Sequence, residues 1–559
     1  MKKSAPLVAV AFVSLVVILS CTTRETPVEK GNREQILHFG NGSEPQDLDP
    51  HIVTGVPEHN IIVALLEGLV AEHPEDLSPV PGAAARWEQS EDGLTYTFFL
   101  QQDGTWTNGD PVTAQDFVYS FRRMLTPSLA GEYAYMLYCM KNAEKYHKGD
   151  ITDFADVGVA AIDDTTLTIE LAKPTPYFLS LMTHYSWFPV HRPTIEKYGK
   201  IDQRGSKWTR PEHYVGNGPF ILKEWKLNEI VIVEKSPTYW DNKTVKLNQI
   251  RFYPIESAQT EERAFRSGQL HVTGTVPLNK IEVYQREQPE LLSIDPYLGT
   301  YYYLVNVTEK PLDDPRVRRA LAMSIDRTSI VDNVLKGGQL PAFHFTPPNT
   351  NGYKAQAKSA YDVDKAKELL AQAGYPNGEG FPEVEVLYNT SEAHQILAQA
   401  IQQMWNKNLN ITVSLINQEW KVYLETQKKK EYDISRAGWI GDYNDPNTFL
   451  DLWVTGGGNN RTGFSNGMYD SLIDAASKEQ DRQTRYGYFQ EAEKILMEEM
   501  PVIPIYFYTS LSLIQPGVKG YYPTILDHHP YKHVYLAHEM HEKTRKKNQK
   551  QKTSSKQKG

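Results

Sequence analysis

Hydrophobic and polar positions follow two different periods along the chain, which predicts a protein of mixed helices and strands. Residues 94–100 (LTYTFFL) and 166–171 (TLTIEL) alternate apolar and polar side chains, as half-buried strands do. Residues 113–116 (TAQD) have the pattern of a helix capping box. They open a predicted helix whose core positions, at helical spacing, are Phe117, Phe121 and Met124.

The same alternation continues in the second half of the chain. Residues 364–373 predict a helix that ends before Gly374. Residues 484–500 predict a long amphipathic helix that Pro501 stops, and residues 502–508 then read as a buried strand. No repeat of fixed period stands out, so the pattern favours α/β lobes.

The first residues have the pattern of a bacterial export signal. Lys2 and Lys3 precede a mostly apolar run over 5–19, which is too short for a membrane span of about 20 residues. Ser20 and Cys21 then resemble the cleavage site of a lipoprotein. We expect a signal peptide over 1–20 and Cys21 as a lipidated N-terminus, with an uncleaved anchor or plain secretion as alternatives.

Polar residues after this signal predict a flexible, lipid-anchored linker over 21–35. At the other end, residues 543–559 carry eight Lys and Arg residues and no acid, which predicts a basic disordered tail over 542–559. The whole chain of 559 residues has a net charge of −10, so residues 1–542 carry about −18. An acidic body argues against nucleic acid as the ligand, because phosphates require clustered cations.

The chemistry-bearing residues give no catalytic signature. The sequence has no P-loop and no G-x-S-x-G elbow, and residues 538–541 (HEMH) are one residue short of a zinc-binding H-E-x-x-H. The Gly-rich residues 455–460 (TGGGNN) lack dinucleotide-binding spacing, so we expect a flexible loop there. Five histidines near the C-terminus are expected to be surface residues rather than metal ligands: His528, His529, His533, His538 and His541.

Two cysteines limit the covalent chemistry. If Cys21 carries lipid, Cys139 has no partner for an intramolecular disulfide. We interpret Cys139 as a buried structural thiol, because apolar residues surround it in the sequence. An exported α/β chain without a catalytic set favours binding over turnover, with no metal and no cofactor.

Several segments resemble family 5 of the extracytoplasmic solute-binding proteins, and especially its oligopeptide-binding members, the receptors of peptide ABC importers. The first four are residues 109–120 (GDPVTAQDFVYS), 217–220 (NGPF), 236–240 (SPTYW) and 314–320 (DPRVRRA). The peptide-binding branch is indicated by residues 387–394 (LYNTSEAH), 417–420 (NQEW) and 436–446 (RAGWIGDYNDP). The resemblance is collinear from about residue 36 to 540.

This resemblance implies a periplasmic binding protein fold (cluster C type): two hinged lobes with an additional α/β domain. Domain I would comprise residues 36–66, 189–298 and 510–541. Domain II would comprise residues 67–188, and domain III residues 299–509. The ligand would lie between domains I and III and be enclosed when the hinge closes.

The resemblance also implies how a peptide is held. Asp442 occupies the position that binds the ligand's α-ammonium, which requires a partner because a lone buried charge is costly. A turn-forming aspartate is the alternative interpretation of this residue. Two segments would pair with the peptide backbone, as in β-augmentation. They are Thr54, Gly55 and Val56 on one side and Gly438, Trp439 and Ile440 on the other.

The remaining implied site residues are aromatic or receive the peptide's C-terminus. Trp420, Tyr302 and Tyr508, together with Trp439, match pocket-lining aromatics, with plain core packing as the alternative for each. His394 and Arg436 match cationic positions for the carboxylate, and Arg suits it through its two-pronged geometry. Asn389 lies in one of the peptide-branch motifs and completes the candidate set.

The sequence departs from the family at the carboxylate end. Leu335 stands where the relatives have a lysine, with Lys336 beside it, and Gln427 replaces an arginine. Gly299 and Ile440 replace a cysteine pair. These departures leave the preferred peptide length open.

The expected function is a monomeric, lipid-anchored receptor on the extracytoplasmic side of a bacterial membrane. It would bind short oligopeptides and deliver them to the permease subunits of an ABC importer. Within the family, the alternatives are a receptor for murein peptides and relatives that bind nickel chelates, haem or sugars; Asp442 argues against the last three. Outside this function, the alternatives are an exported peptidase or glycosidase, which lacks a catalytic set, and a sensor or adhesin.

Overall fold

A computed structural model of the protein describes residues 25–175 and 177–537. The predicted signal peptide, the lipid-attachment residue Cys21 and the basic tail over 542–559 lie outside the described residues, as do His538 and His541. Within the described ranges, no helix is both long and apolar enough to cross a bilayer.

The structure alternates helices and strands along its length. The strands are β1 Ile36–Gly40, β2 Val70–Glu72, β3 Pro79–Pro81, β4 Ala84–Gln89, β5 Thr95–Leu100, β6 Val159–Ala161, β7 Thr166–Glu170, β8 Phe220–Lys226, β9 Ile230–Lys235, β10 Gln249–Tyr253, β11 Leu292–Val305, β12 Leu340–Pro341, β13 Val384–Asn389, β14 Val413–Gln418, β15 Ile434–Ile440, β16 Val502–Leu513, β17 Val518–Lys519 and β18 Tyr535–Leu536. The α-helices are α1 Pro27–Glu34, α2 Val56–Leu65, α3 Ala114–Leu125, α4 Ala143–Lys148, α5 Phe178–Leu181, α6 Arg192–Tyr198, α7 Ala258–Arg266, α8 Leu278–Glu287, α9 Pro315–Met323, α10 Arg327–Ser329, α11 Val363–Gln372, α12 Glu392–Leu409, α13 Trp420–Lys429, α14 Asn447–Leu450, α15 Gly467–Lys478 and α16 Arg482–Glu499.

Residues 25–298 and 510–537, here the first lobe, contain two four-stranded sheets. One has the order β1-β10-β9-β8, in which only β1 and β10 run parallel, and the other is the antiparallel sheet β4-β5-β7-β6. Both sheets contribute to one hydrophobic core. Its largest fully buried side chains are Trp106, Trp187 and Trp208.

Residues 299–509, here the second lobe, are built on a six-stranded mixed sheet with the order β12-β16-β11-β15-β13-β14. This lobe has its own core, in which Trp405 and Trp453 are fully buried. Strands β13 and β15 are parallel, as are β13 and β14, so their carboxyl ends point to the same edge of the sheet. That edge carries Asn389 and Ile440, two of the candidate site residues.

Strands β11 and β16 connect the two lobes. Their antiparallel pairing runs from Leu292 opposite Leu513 in the first lobe to Leu304 opposite Val502 in the second. The register shifts between Pro296 and Thr300, where the chain passes from one lobe to the other. A break in a strand pair at this point is consistent with the predicted hinge, and the domain boundaries themselves stay predictions.

The strongest local patterns formed the elements that they predicted. Strand β5 and helix α16 begin and end within two residues of the expected positions, and helix α3 begins where its capping box predicted. The capping box at the start of α3 has both of its hydrogen bonds, between Thr113 and Asp116. Phe117, Phe121 and Met124 are fully buried.

The flexible linker expected up to residue 35 is wrong where the structure describes it. Helix α1 begins after Thr26, whose hydroxyl accepts from the Glu29 amide (3.1 Å) while the Glu29 carboxylate accepts from the Thr26 amide (3.0 Å). The capping box and a proline at the first helical position outweigh the polar composition. Gln35, directly after the helix, exchanges two hydrogen bonds with the backbone of Leu536.

A buried ion pair joins the first residues of the first lobe to helix α3. The Arg123 guanidinium donates to both carboxylate oxygens of Asp49 (2.8 and 2.6 Å), and both side chains are almost fully buried. Burial alone would raise the pKa of Asp49, but the adjacent Arg123 holds it below its usual value. The segment fixed in this way continues directly into Thr54 and Gly55 of the candidate site.

Arg123→Ala should lower the free energy of unfolding by about 3–5 kcal/mol, because it leaves the Asp49 charge buried without a partner. Urea unfolding followed by circular dichroism would measure the change. Arg122→Ala is the matched control, since Arg122 is exposed on the same helix and should change stability by less than about 0.5 kcal/mol. Equal stability of both variants would contradict a structural role for the pair.

Candidate ligand-binding site

A cavity of about 400 Å³ lies between the two lobes. Both lobes contribute to its walls, and all thirteen candidate residues line it: Thr54, Gly55, Val56, Tyr302, Asn389, His394, Trp420, Arg436, Gly438, Trp439, Ile440, Asp442 and Tyr508. Their proximity supports the site that the resemblance implied, while the contact of each with a ligand stays a prediction.

Asp442 provides a buried carboxylate in the cavity wall, immediately after β15. Tyr133 of the first lobe donates its hydroxyl to Asp442 Oδ1 (3.2 Å), and the Thr448 hydroxyl donates to Oδ2 (3.4 Å). The nearest ionisable base among the described residues is His184, whose Nε2 lies 3.6 Å from Oδ1. Burial lowers the pKa of His184 to about 3, so it is neutral, and burial raises the pKa of Asp442 to about 7. This carboxylate therefore favours a cation brought by a ligand.

Arg436 provides the opposite charge on β15, six residues before Asp442. Its guanidinium donates to Asn389 Oδ1 (3.1 Å) and to the Tyr508 hydroxyl (2.9 Å), and it lies over the ring of Tyr301. No carboxylate of the described chain lies within 4 Å of it, and its buried Nε has no hydrogen-bond partner. His394 is close by, and burial together with Arg436 lowers its pKa well below the usual value. Arg436 is thus a partly buried cation that favours an anionic group in the cavity.

Two extended backbone segments face the cavity. Strand β15 pairs with β11 along its length, but β13 reaches only Ile434 and Ser435, so residues 437–440 have no strand partner on that side within the described sheet. Across the cavity, Gly55 is extended, with φ −98° and ψ 153°. A side chain at Gly55 would collide with the Glu58 carboxylate and contact Trp420, so a larger residue would require the Glu58 side chain to move.

The aromatic candidates differ in their surroundings. Trp439 packs against the cores of both lobes, and its buried Nε1 has no partner, as is also true of Trp420. Tyr302 is 4% exposed, and its ring packs edge-to-face on Phe345 and Trp453. The core-packing alternative therefore describes most of the Tyr302 ring, while the two tryptophans present more of their surface to the cavity.

The departures at the carboxylate end have a structural counterpart. Leu335 is buried in the second core, and Lys336 contacts Glu282 (3.3 Å) away from the cavity. Gln427 does line the cavity, and its side-chain oxygen accepts from Arg461 Nη1 (2.9 Å). Arg461 therefore places a guanidinium beside Gln427 in the cavity wall.

Sequence reasoning missed several cavity residues, and one of them contradicts an expectation. His528 was expected on the surface, yet it lines the cavity, stacks on His59 at 4.3 Å and contacts Glu72 at 2.9 Å. Burial opposes its protonation, but Glu72 raises the pKa of His528 above the usual value. Other missed residues include Tyr133, His184 and Arg461, which lie outside the motifs used, and Asn459, which belongs to the Gly-rich segment 455–460.

Two further expectations can be compared with the structure. Cys139 is partly buried, and burial raises the pKa of its thiol to about 12, which fits an unreactive thiol. His529 is buried against Tyr521 rather than on the surface. Within the described residues, no group of three His, Cys, Asp or Glu side chains has a geometry that could hold a metal ion.

Comparison with known proteins decides the family. Residues 78–461 match the model of the bacterial extracellular solute-binding proteins, family 5. The chain belongs to this family. It is 39% identical over 497 residues to the periplasmic oligopeptide-binding protein OppA of Escherichia coli, covering 87% of this chain and 90% of the relative. The resemblance stated from the sequence motifs is therefore confirmed.

Solved structures of family members confirm the two-lobed α/β fold. Haemophilus influenzae OppA in complex with the peptide RPPGFSPFR matches with a TM-score of 0.86 and 36% identity, over 90% of this chain and 99% of that chain. The murein tripeptide-binding protein MppA of E. coli matches with a TM-score of 0.85 and 38% identity, over 90% and 98%. The unliganded open form of MppA matches at only 0.60, so the two lobes here are not arranged as in that open form.

Asp442→Asn should stabilise the protein without ligand, because it removes a charge from a buried site. The gain should be about 2–4 kcal/mol at pH 8, decrease as the pH falls below 7 and become small near pH 4, where the folded-state carboxyl is protonated and the unfolded-state carboxyl is only partly ionised. Thermal unfolding between pH 4 and pH 8 would measure it. Asp103→Asn, at an exposed position, is the control, and a gain independent of pH would contradict the buried-charge explanation.

Proposed function

We propose that this protein is an extracytoplasmic receptor that binds short peptides and delivers them to an ABC importer. The observation that carries the proposal is the pair of opposite charges in one cavity, the buried Asp442 and the partly buried Arg436, neither of which has a charged side-chain partner among the described residues. A free peptide brings an ammonium at one end and a carboxylate at the other. Either protein charge alone would be costly to bury, and a ligand with both groups compensates both.

The free backbone edges support a peptide rather than another zwitterion. Residues 437–440, which lack a strand partner on one side, and the extended Gly55 face the cavity from opposite lobes. An extended peptide between them would add a strand, as in β-augmentation. Because such hydrogen bonds read only the main chain, they favour a receptor that accepts many sequences. The relative OppA from H. influenzae was solved in complex with a nine-residue peptide.

Other classes of ligand find less support in this cavity. Nickel chelates, haem and sugars lack an α-ammonium for Asp442, and the described residues offer no metal-ligand cluster. We expect no cofactor and no catalysis, in keeping with a family of solute-binding proteins. A murein peptide would satisfy the same charges as a nutrient peptide, and the relative MppA carries that name.

The location and anchoring are part of the same proposal. The relatives are named periplasmic proteins, which supports an extracytoplasmic location. We propose that Cys21 carries the lipid that anchors the protein as a monomer to a bacterial membrane, close to the permease subunits. Metabolic labelling with a radioactive fatty acid would test this, with Cys21→Ser as the control that should lose the label.

Native mass spectrometry of the purified protein would identify the ligand class. We expect co-purified masses that match short peptides and that disappear after the protein is unfolded and refolded. Masses of diaminopimelate-containing peptides would identify the murein alternative. A haem or metal mass, or a refolded protein that ignores tri- to pentapeptides, would contradict the proposed function.

Asp442→Ala should weaken peptide binding at least about 100-fold, because the ligand ammonium would lose its counter-ion inside the cavity. Acetylation of the peptide N-terminus should weaken binding to the wild type to a similar extent. Isothermal titration calorimetry would measure both. Asp474→Ala is the matched control, since Asp474 is an exposed aspartate of the same lobe that pairs with Lys478. Unchanged affinity for the acetylated peptide would contradict the role of Asp442.

A further inference from the structure

We infer that Glu132 of the first lobe and Arg461 of the second form a clasp that stabilises the closed protein without binding the peptide. The inference rests on the proposed function, because its effect is measured through peptide affinity. Arg461 Nη2 donates to Glu132 Oε2 (2.6 Å), and Lys428 Nζ lies 3.3 Å from the other carboxylate oxygen. Both cations belong to the second lobe, and the carboxylate belongs to the first.

The burial of this pair distinguishes it from ordinary surface ion pairs. The side chains of Glu132 and Arg461 are only 11% and 14% exposed. Burial alone would raise the pKa of Glu132, but Arg461 and Lys428 together hold it below the usual value. A carboxylate with two cationic neighbours stays charged, so the attraction between the lobes persists over the physiological pH range.

The Gly-rich loop explains why the two lobes approach so closely here. The β-carbon of any side chain at Gly458 would lie 2.9 Å from the backbone oxygen of Glu132, so only glycine permits this contact. Asn460 holds the loop in place, because its side-chain amide donates to the backbone oxygens of Trp453, Val454 and Phe464. The loop is therefore shaped to dock on Glu132, rather than flexible as its composition suggested.

Closure controls whether the clasp exists. The lobes are joined through β11 and β16, and Glu132 and Arg461 face each other across the gap between the lobes. Opening at the connecting strands would separate the charges and return both to water. The clasp therefore favours the closed state over the open one, and the apparent peptide affinity rises with that preference.

Arg461 is held by protein groups on both of its terminal nitrogens. Nη1 donates to Gln427 Oε1 (2.9 Å) and Nη2 donates to Glu132. Arg461 also lines the cavity, but both of its recorded side-chain hydrogen bonds go to protein groups. If Arg461 acts only through the clasp, its loss should weaken the binding of peptides of every length equally. If Arg461 contacts the peptide directly, the loss should be confined to one peptide length.

Glu132→Gln should weaken the binding of tri-, tetra- and pentaalanine by one common factor of about 30, and Arg461→Gln should do the same. Dissociation should become faster, while association changes little. The double variant E132Q/R461Q should be no weaker than either single variant, and the swapped variant E132R/R461E should recover part of the affinity. Stopped-flow fluorescence and calorimetry would measure these values. Glu170→Gln is the control, because Glu170 pairs with Lys141 on the surface of the first lobe.

The results that would contradict the clasp differ from those that would contradict the proposed function. Unchanged affinity in both single variants would overturn the clasp, and so would a loss confined to R461Q and one peptide length, which would make Arg461 a ligand contact. A wild type that binds none of the three peptides would contradict the proposed function instead. In that case, spin-label distances between the lobes would test the clasp, which requires a larger closed fraction in the wild type than in E132Q.

Discussion

The binding site of this protein depends on two charges, one buried and one partly buried, that have no charged side-chain partner among the described residues. Asp442 and Arg436 lie six residues apart on and just after one strand, and each faces the cavity between the lobes. Burial raises the pKa of Asp442 to about 7, because the charged form of the carboxylate is unfavourable in this site. In the proposed function, a ligand with a charge at each end would remove that cost and so gain binding energy.

The surrounding structure holds these two charged side chains in position without neutralising them. The Arg123–Asp49 pair fixes the segment that leads to Thr54 and Gly55, and the parallel strands β13 and β15 bring Asn389 beside Arg436. Neutral hydroxyls and amides orient the charges without neutralising them, as the contacts of Tyr133 and Tyr508 show. Oriented dipoles of this kind hold a charge in position while leaving it available to a ligand.

Two kinds of contact act together when the lobes meet. The main-chain edges at Gly55 and at residues 437–440 are suited to any extended peptide, because every residue presents the same backbone groups. The contact of Glu132 with Arg461 and Lys428 joins the lobes without reference to the ligand. A receptor for varied peptides gains from a closing interaction that does not depend on the side chains that it receives.

The sequence by itself determined the local elements and the family. Capping boxes, alternation and helical spacing depend on near neighbours in the chain, so β5, α3 and α16 were predictable, and collinear motifs placed Asp442 and Arg436. Composition alone led to a wrong expectation for residues 27–34, where a capping box outweighed polarity. It also gave no indication that the loop at Gly458 contacts the other lobe. Only the tertiary structure decided that His528 lines the cavity and that Glu132 meets Arg461, residues 329 positions apart. Burial and ion pairing between distant segments depend on how the lobes pack, and no local pattern in the chain records that packing.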